Sequence, residues 1–239
     1  MNAPDPDARI AFVFAMPIEL EPFSRAVALT ETLVNGVTVH EGTLDGRAVV
    51  ATVTGMGTEL AAAGIRALLD AVAVRWVLVV GITGALENET AIGTLVNPEI
   101  VVNSETGREF RPAPLAPGTP VGTMWTTNVI TPPHELAELL SQGVVSLDME
   151  TAAIAEVCEA RGVSWSVFRV ISDRASDGTV TEEVFRLSNQ DGTPDHEAIT
   201  RYMKEHPERL PLLAEMAENA NLATRTAVEA AILASARIP

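Results

Sequence analysis

The sequence predicts an α/β protein, a three-layer α/β/α arrangement around a mixed central sheet. Apolar runs of strand length, continuous at residues 10–15 and 76–80 and interrupted by Ser146 in 144–147 and by Arg169 in 167–171, have the composition of buried strands. Segments of helical pattern follow several of them, and residues 30–54 alternate around Asn35-Gly36 and Asp45-Gly46, two hairpin signals that make part of the sheet antiparallel. The acids Asp148, Glu150 and Asp173 stand at the ends of two of the apolar runs, where α/β enzymes hold their ligands. Two neighbouring strands are therefore expected to present a carboxylate each, joined by an amphipathic helix in a β-α-β unit.

Residues 10–15 give the first strand, and Pro17 opens a helix whose acids Glu19 and Glu21 suit the positive end of its dipole. After the meander, Gly55-Met56-Gly57-Thr58 reads as a strand-to-helix turn with Thr58 as cap, followed by a helix to residue 72. The run 76–80 empties into Gly81-Ile82-Thr83-Gly84-Ala85-Leu86, whose glycines admit close backbone approach to a ligand or serve as plain turn chemistry. Residues 94–102 read as one strand, 104–120 as a Pro/Gly-rich loop, 121–125 as a short strand, and Pro132-Pro133 as the start of a helix ending near Gly143. Polar residues 176–195 read as a loop, and helices over 196–205 and 211–236 are expected to pack on one sheet face. No repeat or linker divides the chain, so one domain over 1–239 is expected, with residues 1–8 as a disordered tail.

A 47% apolar composition is ample for a core, and a net charge of −16, from 32 acids against 16 bases, argues against nucleic acid as a partner. Such a charge is the ordinary mark of a soluble acidic surface. Cys158 is the only cysteine, the N-terminus lacks a basic and apolar leader, and no apolar run reaches the ~20 residues of a membrane span. A cytoplasmic protein without membrane contact is expected. His40, His134, His196 and His206 show no metal-ligand spacing, so neither metal nor cofactor is predicted.

In order, Ala15-Met16-Pro17-Ile18-Glu19, Thr54-Gly55-Met56-Gly57, Gly81-Ile82-Thr83-Gly84-Ala85-Leu86, Asp148-Met149-Glu150-Thr151-Ala152-Ala153 and Arg169-Val170-Ile171-Ser172-Asp173 resemble the nucleoside phosphorylase and nucleosidase superfamily. Within it the sequence is most similar to the 5′-methylthioadenosine/S-adenosylhomocysteine nucleosidases. The resemblance implies the phosphorylase/hydrolase-like fold, a homodimer, and hydrolysis of the N-glycosidic bond of a purine nucleoside, a 5′-modified adenosine. It places Met149 and Glu150 at the ribose, Asp173 as the acid at purine N7 with Ser172 beside it, and Glu19 at the 3′-hydroxyl or the attacking water. Ile82, Thr83 and Gly84 line the site, and Ile130 offers its backbone to the base edge next to Val129.

The chemistry of such a cleavage calls for a carboxylate near the cationic sugar and a proton donor near the departing base. Two acids in different environments can divide those tasks. Blander readings compete residue by residue: Glu150 as a helix cap, Asp173 as a turn former, Glu19 as a dipole partner, Met149 as core filler, and Cys158 as an inert thiol. Arg169 either orients Glu150 or forms a structural ion pair.

Phosphorylases of the superfamily carry a Gly-Asp-x-x-Arg loop and a later serine, where this sequence has Met16-Pro17-Ile18-Glu19 and Ile82, so water is the expected acceptor. Val129 stands where the nucleosidases have an aromatic ring, and Trp125 is a candidate substitute for stacking on the base. Asp191-Gly192-Thr193-Pro194-Asp195 and the Pro207-Glu208-Arg209-Leu210-Pro211 segment are similar to the adenosylhopane-cleaving phosphorylase branch. A phosphorylase and a nucleoside-binding protein without turnover are the alternative readings.

Overall fold

The computed structural model describes residues 8–239, with Ser176 described in its backbone only. The expected tail at 1–8 thus lies, for residues 1–7, outside the described residues. In chain order the elements begin with β1 (Arg9–Phe14), α1 (Pro17–Ala26), β2 (Thr30–Val34), β3 (Val37–Leu44), β4 (Arg47–Val53), α2 (Thr58–Ala71) and β5 (Val74–Ala85). Then come β6 (Leu95–Val96), β7 (Ile100–Asn103), β8 (Glu109–Phe110), β9 (Thr123–Thr126), α3 (Pro133–Ser141), β10 (Val144–Asp148), α4 (Thr151–Arg161) and β11 (Ser164–Arg174). Three further α-helices, α5 (Glu182–Phe185), α6 (His196–Glu205) and α7 (Leu210–Ser235), complete the chain.

Strand β5 is the axis of the sheet. Its N-terminal half pairs in parallel with β1, its C-terminal end pairs antiparallel with β10, and its other edge carries β11 in parallel along most of its length. The main path runs β2-β3-β4-β1-β5-β10-β9-β7-β8, with β11 and β6 on the far side of β5. The meander β2-β3-β4 turns at Asn35-Gly36 and Asp45-Gly46, where all four residues have positive φ, as the primed hairpin turns require.

The apolar runs are continuous because both faces of the sheet are covered. Ile10, Phe12 and Phe14 of β1 point into a core with Leu20 and Phe23 of α1 and Ala223, Ala227, Val228 and Ala231 of α7. Ala11 and Val13 point the other way, into a core with Ala61, Ile65 and Leu68 of α2 and the small residues of α4. Each Val, Leu, Ile or Phe side chain among them contributes roughly 1.5–3 kcal/mol by leaving water, so the three-layer order follows from the pleat of one strand.

Several expectations are corrected. The strands that carry Asp148 and Asp173 are not neighbours: Gly84 of β5 sits between them, paired with Leu147 on one side and Asp173 on the other. They also run in opposite senses against β5, so β10-α4-β11 is not a β-α-β unit. The glycine run 81–84 lies inside β5, because β10 and β11 take up its hydrogen bonds on both edges. Helix α4 is not amphipathic; Thr151 to Ala155, Val157 and Cys158 are all buried, since α4 is enclosed on nearly every side. Residues 94–102 form two strands with different partners, broken before Pro98 because a proline cannot donate to a ladder. The expected loop at 104–120 contains β8, the one at 176–195 contains α5, and α6 buries only Ala198 instead of packing along the sheet.

Candidate active site

The C-terminal ends of β1, β5, β10 and β11 converge on one cavity of about 530 Å³. Of the residues singled out in the sequence, eleven line it and Trp125 does not. Glu19 comes from the first turn of α1, Ile82, Thr83 and Gly84 from β5, and Val129 and Ile130 from the loop after β9. Met149 and Glu150 follow β10, while Arg169, Ser172 and Asp173 lie on β11.

Glu19 is placed by local helix chemistry. With Pro17 in the first turn, its carboxylate turns back along the chain, and Oε2 accepts the N–H groups of Ala15 at 2.9 Å and Met16 at 3.0 Å. Oε1 accepts the N–H of Ile82 at 2.9 Å, which ties α1 to β5. Gly81 is required beside it: a Cβ there would stand 2.3 Å from Glu19 Oε1 and 2.6 Å from Arg169 Nη1. Glu19 is wholly buried, and desolvation raises its pKa against the pull of Arg169 and these three N–H groups.

Arg169 is 2% exposed and meets three carboxylates. Its Nη2 donates to Glu150 Oε2 at 2.9 Å and lies 3.2 Å from Asp148 Oδ2, while Nη1 donates to the Ile82 carbonyl and lies 3.6 Å from Glu19 Oε1. Of the two readings of Arg169, the geometry joins both: it is a buried ion-pair partner, and it orients Glu150. The other oxygen of Glu150 accepts the N–H of Gly57 at 2.9 Å. Burial, with Asp148 and Glu19 nearby, outweighs Arg169 and raises the Glu150 carboxyl to about 7.

Asp148 went unassigned in the sequence, although its place at a strand end marked it. Oδ1 accepts from Thr126 Oγ1 at 2.6 Å and Oδ2 from the Thr151 N–H at 2.9 Å. The N-terminal N–H of α4 is thus held by Asp148, while Glu150, the residue at the cap position, makes no cap bond with its side chain. Nor does Thr58 cap α2: Asn128 Oδ1, across the cavity rim, takes the Thr58 N–H at 2.9 Å.

Asp173 stands apart from this cluster. Ser172 Oγ donates to its Oδ1 at 2.6 Å, and the bare Cα of Gly84 leaves room for Oδ2. Burial raises the Asp173 pKa, the Ser172 hydrogen bond opposes the rise, and Asp177 adds to it. The cavity therefore holds a carboxylate-guanidinium cluster at one place and a separate acid disposed to keep its proton at another, the division of tasks that glycosidic cleavage needs.

Trp125 does not line the cavity; it packs against a small cluster of Leu86, Leu139 and Val144. Val129 is at the mouth, 68% exposed. Met16, Met56, Asn128 and Phe185 also line the site and were not assigned in the sequence. A signal for Phe185 was there: Thr181 followed by two acids and an apolar pair is a helix start, and Thr181 Oγ1 accepts the Val184 N–H at 3.3 Å.

The family model described as "Phosphorylase superfamily" matches residues 9–121 and 115–204. Among solved structures, a mutant of the Helicobacter pylori MTAN with 5′-methylthioadenosine in its active site superposes with a TM-score of 0.70 at 17% identity, over 97% of this chain and 99% of that one. The futalosine hydrolase of Helicobacter pylori strain 26695 gives 0.72 at 17% identity, over 97% and 99%. The 5′-methylthioadenosine/S-adenosylhomocysteine nucleosidase of S. pneumoniae, solved with a transition-state inhibitor, gives 0.70 at 20% identity, over 95% and 97%. These structures share the fold. With a family model matched over most of its length, the chain belongs to the phosphorylase superfamily.

Proposed function

We propose that the protein is a purine nucleoside N-ribohydrolase acting on a 5′-modified adenosine of the methylthioadenosine or S-adenosylhomocysteine type. The observation that carries this reading is the use made of the site's donors. The N–H groups of Ala15, Met16, Ile82 and Gly57, which could cradle a phosphate, are all taken by Glu19 and Glu150, and Arg169 is shared among three carboxylates. A dianion brought to this place would meet carboxylates in place of free donors. Arg174, the other cation on β11, donates from Nε to the Thr90 carbonyl and pairs with Asp177.

In this reading Glu150 accepts hydrogen bonds from the ribose hydroxyls, with Met149 against the sugar. Asp173 gives its proton to N7 as the C1′–N9 bond breaks and its electron pair passes to the base. Water adds to C1′ and yields its proton to Glu19, whose Oε1 carries one backbone hydrogen bond and keeps a lone pair. The Ile130 backbone and Val129 border the base, Ser172 steadies Asp173, and Ile82, Thr83 and Gly84 form the wall beneath it.

Free base is measured after incubation with methylthioadenosine, S-adenosylhomocysteine, 5′-deoxyadenosine, adenosine and inosine, with and without phosphate. Release that does not depend on phosphate is the expected result. Release only with phosphate would make the protein a phosphorylase, and tight binding without release would make it a nucleoside-binding protein.

We further propose a cytoplasmic homodimer. The dimer is supported by exposed apolar side chains along one stretch of chain, Val121, Val129, Ile130 and Leu140. A monomer in sedimentation would overturn it. Among the described residues no helix is long and apolar enough to cross a membrane.

A further inference from the structure

Helix α2 begins with two successive backbone donors that the helix itself does not use, the N–H groups of Gly57 and Thr58. Both are taken by residues far along the chain. The first donates to Glu150 Oε1 and the second to Asn128 Oδ1, each at 2.9 Å. Asn128 holds on at two further points: its Nδ2 donates to Thr58 Oγ1 at 2.6 Å and to Glu105 Oε1 at 2.9 Å. One side chain in the loop after β9 thus fixes the start of α2 and the turn between β7 and β8.

Asn128 borders the cavity but has no hydrogen left to give a substrate, because both hydrogens of its amide go to protein oxygens. It acts through its neighbours. The approach is close: at Gly57, with φ +91°, a Cβ would stand 3.3 Å from Asn128 Oδ1. Without Asn128 the Thr58 N–H would be a second donor beside Gly57 at the positive end of the helix, and the Glu150 carboxylate would be drawn onto both.

We propose that Asn128 is a positioning residue for Glu150: by occupying the Thr58 N–H it leaves the carboxylate to Gly57 and Arg169, with its remaining lone pairs toward the ribose hydroxyls. This rests on the nucleosidase reading above, in which Glu150 accepts those hydroxyls. It also joins two parts of the site, since Val129 and Ile130 follow Asn128 directly in the chain. A plain cross-link between loops would serve stability and leave sugar selectivity untouched.

The test measures kcat/KM for methylthioadenosine and its 2′-deoxy analogue in the full-length wild type, in Asn128→Ala, and in Asn128→Ala combined with Thr58→Pro. The intrinsic reactivity of the two sugars cancels when the ratio in a variant is compared with that in wild type. Asn128→Ala is expected to lose about tenfold or more on methylthioadenosine and much less on the deoxy analogue, which lacks the 2′-hydroxyl for Glu150 to hold. Thr58 is the first residue of α2, a position that tolerates proline, so Thr58→Pro removes the competing N–H and should restore most of the ratio. Should the double variant fail to fold, the ratio in Asn128→Ala decides by itself. An equal loss on both substrates, an unchanged ratio, or a folded double variant without recovery overturns the proposal while leaving the nucleosidase reading intact. Absence of base release from any nucleoside by wild type overturns that reading and this one with it.

Discussion

Arg169 is the buried cation that Glu19, Asp148 and Glu150 share, each within 3.6 Å of it, and one charge cannot balance all three. One carboxyl in the group must keep a proton into the neutral range, and Glu150, raised to about 7, has the fewest backbone donors of the three that could oppose this. In the proposed reading its ionised form accepts the sugar hydroxyls, so the lower limb of kcat/KM should rise with pH through about 7. The lower limb belongs to the cluster as a whole. Replacing Glu150 with Gln should remove that limb along with most of the activity, and a pH-rate profile of the variant that keeps it would assign the ionisation elsewhere. The same shift bears on stability. A carboxyl whose folded pKa lies above its unfolded 4.5 binds its proton more tightly in the folded state, so its contribution is complete below 4.5 and is lost as pH rises through about 7. Thermal melts across that interval should therefore slope downward less in Glu150→Gln than in wild type. Asp173→Asn, which keeps the shape but cannot donate the acidic proton, should lower kcat by roughly 10²–10⁴-fold with little change in KM.

Helix α1 links the core to the chemistry. Phe23 is wholly buried and stacks on Phe12 of β1 with ring centroids 4.2 Å apart, while Glu19, one turn earlier on the same helix, reaches β5 through the Ile82 N–H. Truncation by Phe23→Ala should cost about 3–5 kcal/mol, measured by urea unfolding, because the rigid sheet beneath cannot collapse into the space. It should also lower kcat by loosening Glu19; a large stability loss with unaltered kcat would show that the carboxylate is held by its hydrogen bonds alone. Helix α4 makes the complementary point. Its buried Ala, Val and Cys side chains let it lie close to α2, and this approach brings the Gly57 N–H at the start of α2 to Glu150 at the start of α4.

At the scale of the molecule, a net charge of −16 on 239 residues leaves a surplus of surface carboxylates repelling one another. Raising ionic strength from dilute buffer to about 0.15 M, where the Debye length is about 8 Å, should raise the melting temperature. A melting temperature that falls with salt would mean that surface ion pairs such as Arg9–Glu41 and Arg161–Asp70 outweigh the repulsion. The sheet explains why chemistry sits where it does. Several chain segments end at one place because β5 carries β1, β10 and β11 at once, so residues from positions 15 to 188 share one cavity.

The sequence by itself determined the layers, because the pleat and the helical repeat are local and short apolar runs rich in β-branched residues have the composition of strands covered on both faces. It also determined the candidate site, because acids and glycines at strand ends are local in the chain and their order resembles one superfamily. Only the tertiary structure decided which strands are neighbours, that β10 and β11 oppose each other across β5, and that Asn128 and Asp148 hold the helix starts expected of Thr58 and Glu150. The strand order and the Asn128 bond depend on hydrogen bonds between residues tens of positions apart, which no local pattern carries, whereas the Asp148–Thr151 bond spans three residues and was hidden only by the choice between two nearby acids.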